Sequence, residues 1–205
     1  MKKDTPAGTT TPHRIMDVAE RLAQTNGFNG FSYADIAQAV GITKASLHYH
    51  FPTKAELGRR LIVRYSESFA VELAAIESGT PDAPGRLRRY AKLFVEVLRG
   101  SRMCLCGMLA AEQSTLPEPM QQQLRHFFDV NEHWLARVLS EGRRGGELAF
   151  KGSPTEAARL LVGSLEGTML VAHAYDDVAR FESSVRRLIV ALVAPRTRSV
   201  ADGSG

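Results

Sequence analysis

A short polar stretch near the N-terminus combines residue types that suit contact with a nucleic acid. Residues 41–52 read GITKASLHYHFP. If this stretch forms a helix with its large apolar side chains facing inward, its outer face carries Lys44, Ala45, His48 and Tyr49. Lysine and tyrosine suit phosphate oxygens, whereas histidine beside a small residue suits the edges of bases. The pattern therefore indicates phosphate contacts that supply affinity and base contacts that supply specificity.

The elements around this stretch have the spacing of a helix-turn-helix. Ser32 and Asp35 have the spacing of a capping box at the start of one short helix, and Gly41 suits its end. Thr43 caps the next helix, and Pro52 breaks it. Two short helices joined by a tight glycine-containing turn place the second helix in the major groove. The same composition also fits an ordinary three-helix corner whose aromatic side chains cover its own core.

The segment from Gly27 to Leu57 resembles the DNA-binding segment of the TetR family of regulators. That family's turn and recognition helix usually reads V-G-[VI]-[ST]-K-[GA]-[ST]-[LI]-Y-x-[HY]-F, followed by [ST]-K-x-x-L. This chain reads VGITKASLHYHF and then TKAEL. The departure is His48, where the family most often carries tyrosine.

The resemblance implies a set of residues that contact DNA. Lys54, at the start of the fourth helix, would meet a phosphate. For His50, an alternative is that it packs on the hinge at the end of its helix. The residues for which the resemblance implies backbone or base contacts are Ser32, Tyr33, Thr43, Lys44, Ala45, Ser46, His48, Tyr49 and His50.

The pattern of apolar residues is helical throughout, which predicts an all-α fold: an N-terminal three-helix domain and a larger C-terminal helical bundle. A first helix carries an apolar stripe before Asn26, and the loop GTPDAPG at 79–85 is the clearest break. Helices are predicted at 86–99, 103–115, 118–142, 154–175 and 178–194. The predicted units are a DNA-binding domain at 13–57, an effector-binding and dimerisation domain at 58–194, and disordered tails at 1–12 and 195–205.

Composition excludes several classes of protein. The formal net charge is +4, which fits a nucleic-acid partner without requiring one. No apolar run reaches a membrane-spanning length, and the N-terminus lacks the apolar region of a signal peptide, so we expect a cytoplasmic protein with no membrane partner. No metalloprotease, nucleophile-elbow or phosphate-loop motif occurs, so neither an enzyme nor a cofactor is expected.

The helix predicted at 154–175 is apolar on more than one side, which favours a homodimer. Leu161, Leu165, Met169 and Ala172 form one apolar face. A helix that is apolar nearly all round must be buried on several sides. Further apolar or small residues lie on its other sides: Leu160, Gly163, Gly167, Leu170, Val171 and Ala174. By family layout, the last two helices form a four-helix bundle with their copies, although burial within one subunit is an alternative.

A small-molecule effector would bind among aromatic and methionine side chains of the larger domain, although each of these also suits simple core packing. The candidates are Tyr90, Phe94, Met103, Cys106, Met108, Phe127, Phe128, Trp134, Met169 and His173, with Glu112, Asn131 or Glu166 as polar anchors.

The two cysteines offer a different sensor. Cys104 and Cys106 lie at a predicted helix start close to Arg102, where the helix dipole and the cation would lower a thiol pKa. A metal site that combines them with His126 and His133 is disfavoured, because C-x-C lacks the usual C-x-x-C spacing.

The sequence thus predicts a DNA-binding transcriptional regulator. The first expectation is a repressor that a small apolar ligand releases from an inverted-repeat operator in double-stranded DNA. One alternative is that oxidation or electrophile modification of Cys104 or Cys106 switches the same regulator. An alternative of another class is an architectural DNA-binding protein that responds to no effector.

Overall fold

The computed structural model describes residues 10–195, which form nine α-helices. In chain order these are α1 (Thr11–Asn26), α2 (Tyr33–Val40), α3 (Lys44–His50), α4 (Lys54–Gly79), α5 (Ala83–Arg99), α6 (Leu105–Ala111), α7 (Glu118–Arg144), α8 (Pro154–Ala174) and α9 (Val178–Val190). A short 3-10 turn, Gln113–Thr115, lies between α6 and α7. The all-α prediction is confirmed. Within residues 10–195, no helix is both long and apolar enough to cross a membrane.

Helices α1 to α3 pack on one another and begin and end where local signals place them. The Ser32 hydroxyl accepts from the Ala34 amide, and the Asp35 carboxylate accepts from the Ser32 amide, which completes a capping box for α2. Gly41 ends α2 in the left-handed conformation at φ 75°, which glycine adopts without strain. The Thr43 hydroxyl accepts from the Ser46 amide and caps α3. Leu47 is fully buried in this unit.

Helix α4 leaves this unit and runs into the larger bundle. There α7 packs against α4 and α8, while α9 packs against α5 and α8. Between α1 and α4, the Arg64 guanidinium donates to the carboxylates of Asp17 and Glu20 at 2.7 and 2.6 Å. This pair of contacts joins the first helix to the connecting helix.

The structure corrects several predicted boundaries. The loop expected at 79–85 is shorter, because α4 includes Gly79 and α5 begins at Ala83 with Asp82 as its cap. The helix expected at 103–115 is α6 followed by the 3-10 turn. Helix α9 ends at Val190, so 191–194 are not helical. Thr11 and Pro12 were expected in a disordered tail but belong to α1, which begins at Thr11. The other expected tail residues, 1–9 and 196–205, lie outside the described residues.

Candidate DNA-binding surface and ligand cavity

Helix α3 presents a polar outer face, as its pattern predicts. Leu47 and the following Phe51 are fully buried and fix the orientation of the helix. Lys44, Ala45 and His48 are exposed, and Tyr49 is 85% exposed. An exposed aromatic ring and an exposed cation on one helix face suit contact with a nucleic acid. We name Lys44, Ala45, His48 and Tyr49 the α3 outer face.

His48 is oriented by its neighbours. Its Nδ1 lies 3.2 Å from the carbonyl oxygen of Pro52, and its ring lies 4.8 Å from the ring of Tyr33. Because a carbonyl oxygen only accepts, the neutral imidazole in this contact carries its proton on Nδ1. The Nε2 atom then offers a lone pair, which can accept a hydrogen bond from an amino group of adenine or cytosine.

Tyr33 has a structural contact that the sequence did not indicate. Its hydroxyl donates to the carbonyl oxygen of Phe51 at 2.9 Å, and burial raises its pKa to about 12. Because this proton is already donated inside the protein, the hydroxyl is not a free donor for DNA. Tyr33 instead holds the end of α3 against α2.

Lys54 differs most from its expected role as a phosphate contact. Its ammonium donates to the carbonyl oxygens of Phe28 and Phe31 and lies over both aromatic rings, 4.7 and 4.2 Å from their centroids. The pKa of Lys54 is lowered, and the largest cause is burial of the ammonium group. The structure therefore gives Lys54 a structural role, in which it closes the turn between α1 and α2.

The remaining predicted DNA contacts lie at or near helix ends. Ser32 and Thr43 are exposed but use their hydroxyls as caps, and the Ser32 hydroxyl also donates to Asp35. Ser46 and His50 are half-buried, and the His50 ring lies 5.2 Å from that of Tyr49. Thr43, Ser46 and His50 adjoin the α3 outer face in the sequence, whereas Ser32 lies at the start of α2.

Glu112 connects the larger bundle to the DNA-binding unit. It follows α6, and its carboxylate accepts from the amides of Phe28 and Asn29 at 2.6 and 3.1 Å. Gly27 has a φ of 79°, which glycine adopts without strain, and a Cβ there would also stand 2.9 Å from Oε1 of Glu112. Glu112 was expected to be a ligand anchor, but it does not line the cavity described below, and its carboxylate is bonded to these amides. It holds the turn between α1 and α2, which Lys54 also closes.

A cavity of about 410 Å³ lies between α6, α7 and α8. Of the predicted ligand contacts it contains Met103, Met108, Phe128 and Glu166. Sequence reasoning missed the small residues that create the space, although the two glycines of α8 were noted for another reason. The full lining is Met103, Gly107, Met108, Ala110, Ala111, Phe128, Glu132, Arg159, Val162, Gly163, Glu166, Gly167 and Leu170. We name it the Glu166 cavity.

Glu166 is the unusual group in this lining. Its Oε2 is buried and has no hydrogen-bond partner among the described residues. Burial raises the pKa of this carboxyl to about 7, and the nearby Cys104 thiol lowers it by a smaller amount. A Cβ on Gly107 would overlap Oε2, so glycine makes room for the carboxyl group.

The other predicted ligand contacts do not line the Glu166 cavity. Most belong to a packed aromatic core, in which the Tyr90 ring stacks on that of Trp134 at 5.7 Å and its hydroxyl donates to Asn131. His173 is half-buried on α8. The residues placed outside the cavity are Tyr90, Phe94, Cys106, Glu112, Phe127, Asn131, Trp134, Met169 and His173.

The predicted activation of the thiols is wrong. Cys104 and Cys106 are 1% and 0% exposed. Burial, the largest effect, raises both thiol pKa values well above the ordinary value, and the neighbouring Glu166 raises them further. Desolvation outweighs the dipole of a helix only seven residues long, which the sequence argument did not weigh.

Helices α8 and α9 carry an uncovered apolar face. Leu161, Leu165 and Met169 are buried as predicted. A Cβ on Gly163 or Gly167 would meet nothing within 4 Å. Five large apolar side chains on or next to these two helices remain exposed: Leu160, Leu170, Val171, Tyr175 and Val190. Exposed apolar side chains of this kind are typical of a surface that binds another molecule.

Two family models match this chain. Residues 15–61 match the model for bacterial regulatory proteins of the tetR family, and residues 83–188 match the tetracyclin repressor-like C-terminal domain. The chain belongs to the TetR family. TetR-family regulators are DNA-binding proteins that act as dimers, and they are not enzymes. This protein is accordingly a DNA-binding transcriptional regulator with an N-terminal helix-turn-helix.

Solved structures and curated relatives agree with this assignment. TetR-family regulators from Agrobacterium tumefaciens and Legionella pneumophila are 32% and 33% identical to this TetR-family chain, with TM-scores of 0.86 and 0.82. The alignments cover 89% and 90% of this chain and 97% of each of the others. The nucleoid occlusion factor SlmA of Photobacterium profundum is 29% identical, over 80% of this chain and 85% of that protein. The transcriptional regulator AcuR of Cereibacter sphaeroides is 27% identical, over 71% and 68%.

Proposed function

We propose that this TetR-family protein is a cytoplasmic repressor that binds an inverted-repeat operator as a homodimer and is released by a small, mainly apolar ligand. The observation that carries the proposal is the position of α6. This helix lines the Glu166 cavity through Gly107 and Met108, and the residue that follows it, Glu112, bonds to the turn before α2. One short helix thus contacts both a ligand-sized cavity and the DNA-binding unit.

On the DNA side, the α3 outer face supplies the proposed contacts. Lys44 and Tyr49 suit phosphate oxygens, and His48 with Ala45 suits base edges. Thr43, Ser46 and His50 adjoin this face, and with Ser32 they reach the backbone at its margins. Tyr33 and Lys54 act by holding the reading unit together, because their polar groups are already bonded within it.

Homodimerisation through α8 and α9 is supported by the uncovered apolar face on those helices. With Gly163 and Gly167, two copies of α8 can approach closely, since nothing occupies the space beside either glycine. A dimer places two copies of α3 on one side of the molecule, about one helical turn of DNA apart (roughly 34 Å) or somewhat more. Two equivalent reading helices require an inverted repeat.

The ligand acts by favouring one of two arrangements. A molecule that fits the Glu166 cavity better when α6 has moved shifts the population towards that arrangement by its differential affinity. Because Glu112 holds the turn between α1 and α2, a displaced α6 moves the reading unit relative to the dimer axis. The spacing of the two α3 helices then no longer matches the operator.

The test begins with DNA from the region upstream of the gene, titrated with the purified protein. A compound library is then screened for release of that DNA, and each hit is tested with Met108→Trp, which should fill the cavity. We expect at least one apolar compound to release DNA from the wild type and not from M108W. Hits that act equally on both proteins would contradict the proposal.

A second candidate is an architectural DNA-binding protein without an effector. The similarity to SlmA supports it, because that relative is named for nucleoid occlusion. This candidate is favoured if the protein binds DNA at several sites and no compound releases it from the DNA. The compounds tested must include some that are shown to occupy the Glu166 cavity. Switching through Cys104 or Cys106 is disfavoured by the burial of both thiols.

A further inference from the structure

The walls of the Glu166 cavity are almost wholly apolar, and one buried carboxyl group interrupts them. Met103, Met108, Phe128 and Val162 form the apolar surface. Oε2 of Glu166 is buried beside them without a hydrogen-bond partner among the described residues. A buried polar atom without a partner costs free energy, and each such atom in a folded protein needs an explanation. A bound molecule that donates to Oε2 would supply one.

The other charged groups of the cavity do not neutralise Glu166. Glu132 and Arg159 line the rim and pair with each other at 3.2 Å, so their charges largely cancel. No basic side chain among residues 10–195 forms an ion pair with Glu166. The negative charge of an ionised Glu166 is therefore uncompensated in the protein, and an anionic ligand would be repelled.

The surroundings of Oε2 suit a cation as well as a hydrogen-bond donor. The face of an aromatic ring such as Phe128 attracts an ammonium group, and the thioethers of Met103 and Met108 are polarisable. The volume of about 410 Å³ falls within the range of roughly 300–1,000 Å³ that is usual for small-molecule sites. The site therefore has room for an apolar body next to the charged group.

We propose that the effector of this protein is a protonated amine with an apolar body, whose ammonium group pairs with the carboxylate of Glu166. The inference rests on the proposed function and specifies the chemical class of its ligand. Gly163, Gly167 and Leu170 border the open side of the cavity and belong to the uncovered face of α8. In the proposed dimer the second copy covers this side, so the apolar body of the ligand is enclosed by both subunits.

Binding of an amine should depend on pH through Glu166. Burial raises the pKa of Glu166 to about 7, so the ionised form that pairs with an ammonium group increases between pH 6 and pH 8. The groups that face Glu166 from other helices are Tyr65 on α4, Tyr90 on α5, and Cys104 and Cys106 next to and within α6. The pKa of each is raised well above its ordinary value by burial, so all four stay neutral in this range. The paired charges at the rim are those of Glu132 and Arg159.

The test uses primary phenylalkylamines with two to six methylene groups, each compared with the alcohol of the same length. Binding to the DNA-free dimer is measured by calorimetry at pH 8. We expect at least one amine to bind about 10- to 100-fold more tightly than its alcohol, as for a charge-assisted hydrogen bond. Glu166→Gln should remove this preference and leave the alcohol within about threefold. The wild-type amine affinity should fall roughly tenfold from pH 8 to pH 6, and E166Q should abolish that dependence.

Glu118→Gln is the control, because Glu118 lies outside the cavity and forms an exposed ion pair with Arg125. Equal losses in E118Q and E166Q, or amines that bind no better than their alcohols throughout the series, would overturn the assignment to amines. The proposed function is tested separately by release of the operator. Amines that bind through Glu166 but release no DNA would refute the inducible switch alone. Neutral compounds that release DNA, with no preference for amines, would refute only the ligand class.

Discussion

At the residue scale, two lysines that the family motif places near each other have different environments. Lys44 is exposed on α3, and no ion pair occupies it among the described residues. Lys54, only ten positions later, has its ammonium group between two carbonyl oxygens and two aromatic rings. A motif specifies the residue type at each position, and it does not specify which partner the side chain finds. The contacts of Lys54 depend on the path of the turn between α1 and α2, which local sequence patterns do not determine.

The two lysines can be separated with the same substitution. Lys44→Met should weaken operator binding and reduce the slope of log affinity against log salt by about 1 for each contact, or roughly 2 for the dimer. Lys54→Met keeps the apolar stem over Phe28 and Phe31 but leaves two carbonyls without their donor. We expect it to lower the free energy of unfolding by about 1–3 kcal/mol and to leave the salt slope unchanged. Salt titrations by fluorescence anisotropy and urea unfolding measure the two quantities. A reduced salt slope in K54M would instead support the expected contact between Lys54 and a DNA phosphate.

The cysteines provide a second test at this scale. Only the thiolate reacts with disulfide reagents, and burial raises the pKa of both thiols well above its ordinary value. Neither Cys104 nor Cys106 should therefore react with Ellman's reagent in the native protein at pH 7 to 8, whereas both should react at once in urea. Operator binding by Cys106→Ser should match that of the wild type with and without oxidant. Rapid labelling of either thiol in the native protein would show that it is accessible and would support regulation by thiol modification.

At the scale of elements, the local signals for helix ends were reliable where the capping side chain acts on its own helix. The capping boxes at Ser32 and Ser153 both form. Thr53 and Glu56 have the same spacing, but there only the Thr53 hydroxyl acts as a cap, because the Glu56 carboxylate pairs with Arg59 and Arg60 instead. Local competition of this kind is visible in the sequence once the basic residues are counted.

The contacts of α6 are of a different kind and could not be predicted in this way. Glu112 bonds to amides that precede it by more than eighty residues, so only the packed fold brings them together. The sequence suggested that Glu112 is a polar anchor in a pocket lined by aromatic and methionine side chains. The same limit applies to the Glu166 cavity, whose shape depends on small residues of two helices far apart in the chain.

The bridge formed by Glu112 can be tested without a ligand. Glu112→Gln removes the charge from two hydrogen bonds to the amides of Phe28 and Asn29. Charge-assisted bonds contribute about 1.5–3 kcal/mol, so we expect hydrogen exchange of these two amides to accelerate roughly tenfold or more. Glu118→Gln, which alters an exposed ion pair with Arg125, is the control and should leave both amides protected. Unchanged exchange in E112Q would show that the carboxylate does not hold the turn.

At the scale of the whole molecule, one chain leaves an apolar surface that it does not bury itself. The sequence indicated this surface, because α8 is apolar on more sides than one subunit can cover. The structure shows which residues stay uncovered: Leu160, Leu170 and Val171 are 67%, 59% and 47% exposed. The Glu166 cavity opens onto the same side of α8. In the proposed dimer, one interface therefore sets the distance between the two α3 helices and also encloses the ligand.

Gly167→Leu tests that interface directly. Within one subunit a side chain at Gly167 would meet nothing within 4 Å, and leucine favours a helix over glycine by roughly 0.5–1 kcal/mol, so the fold of the monomer should be preserved. Between two copies of α8 the added side chain would prevent close approach, and overpacking costs about 1–3 kcal/mol or more. We expect sedimentation to show monomers and operator binding to lose its cooperativity. The exposed Ala74→Leu on α4 is the control and should remain a dimer. If G167L sediments as a tight dimer, Gly167 faces away from the interface, and the surface that joins the subunits lies elsewhere.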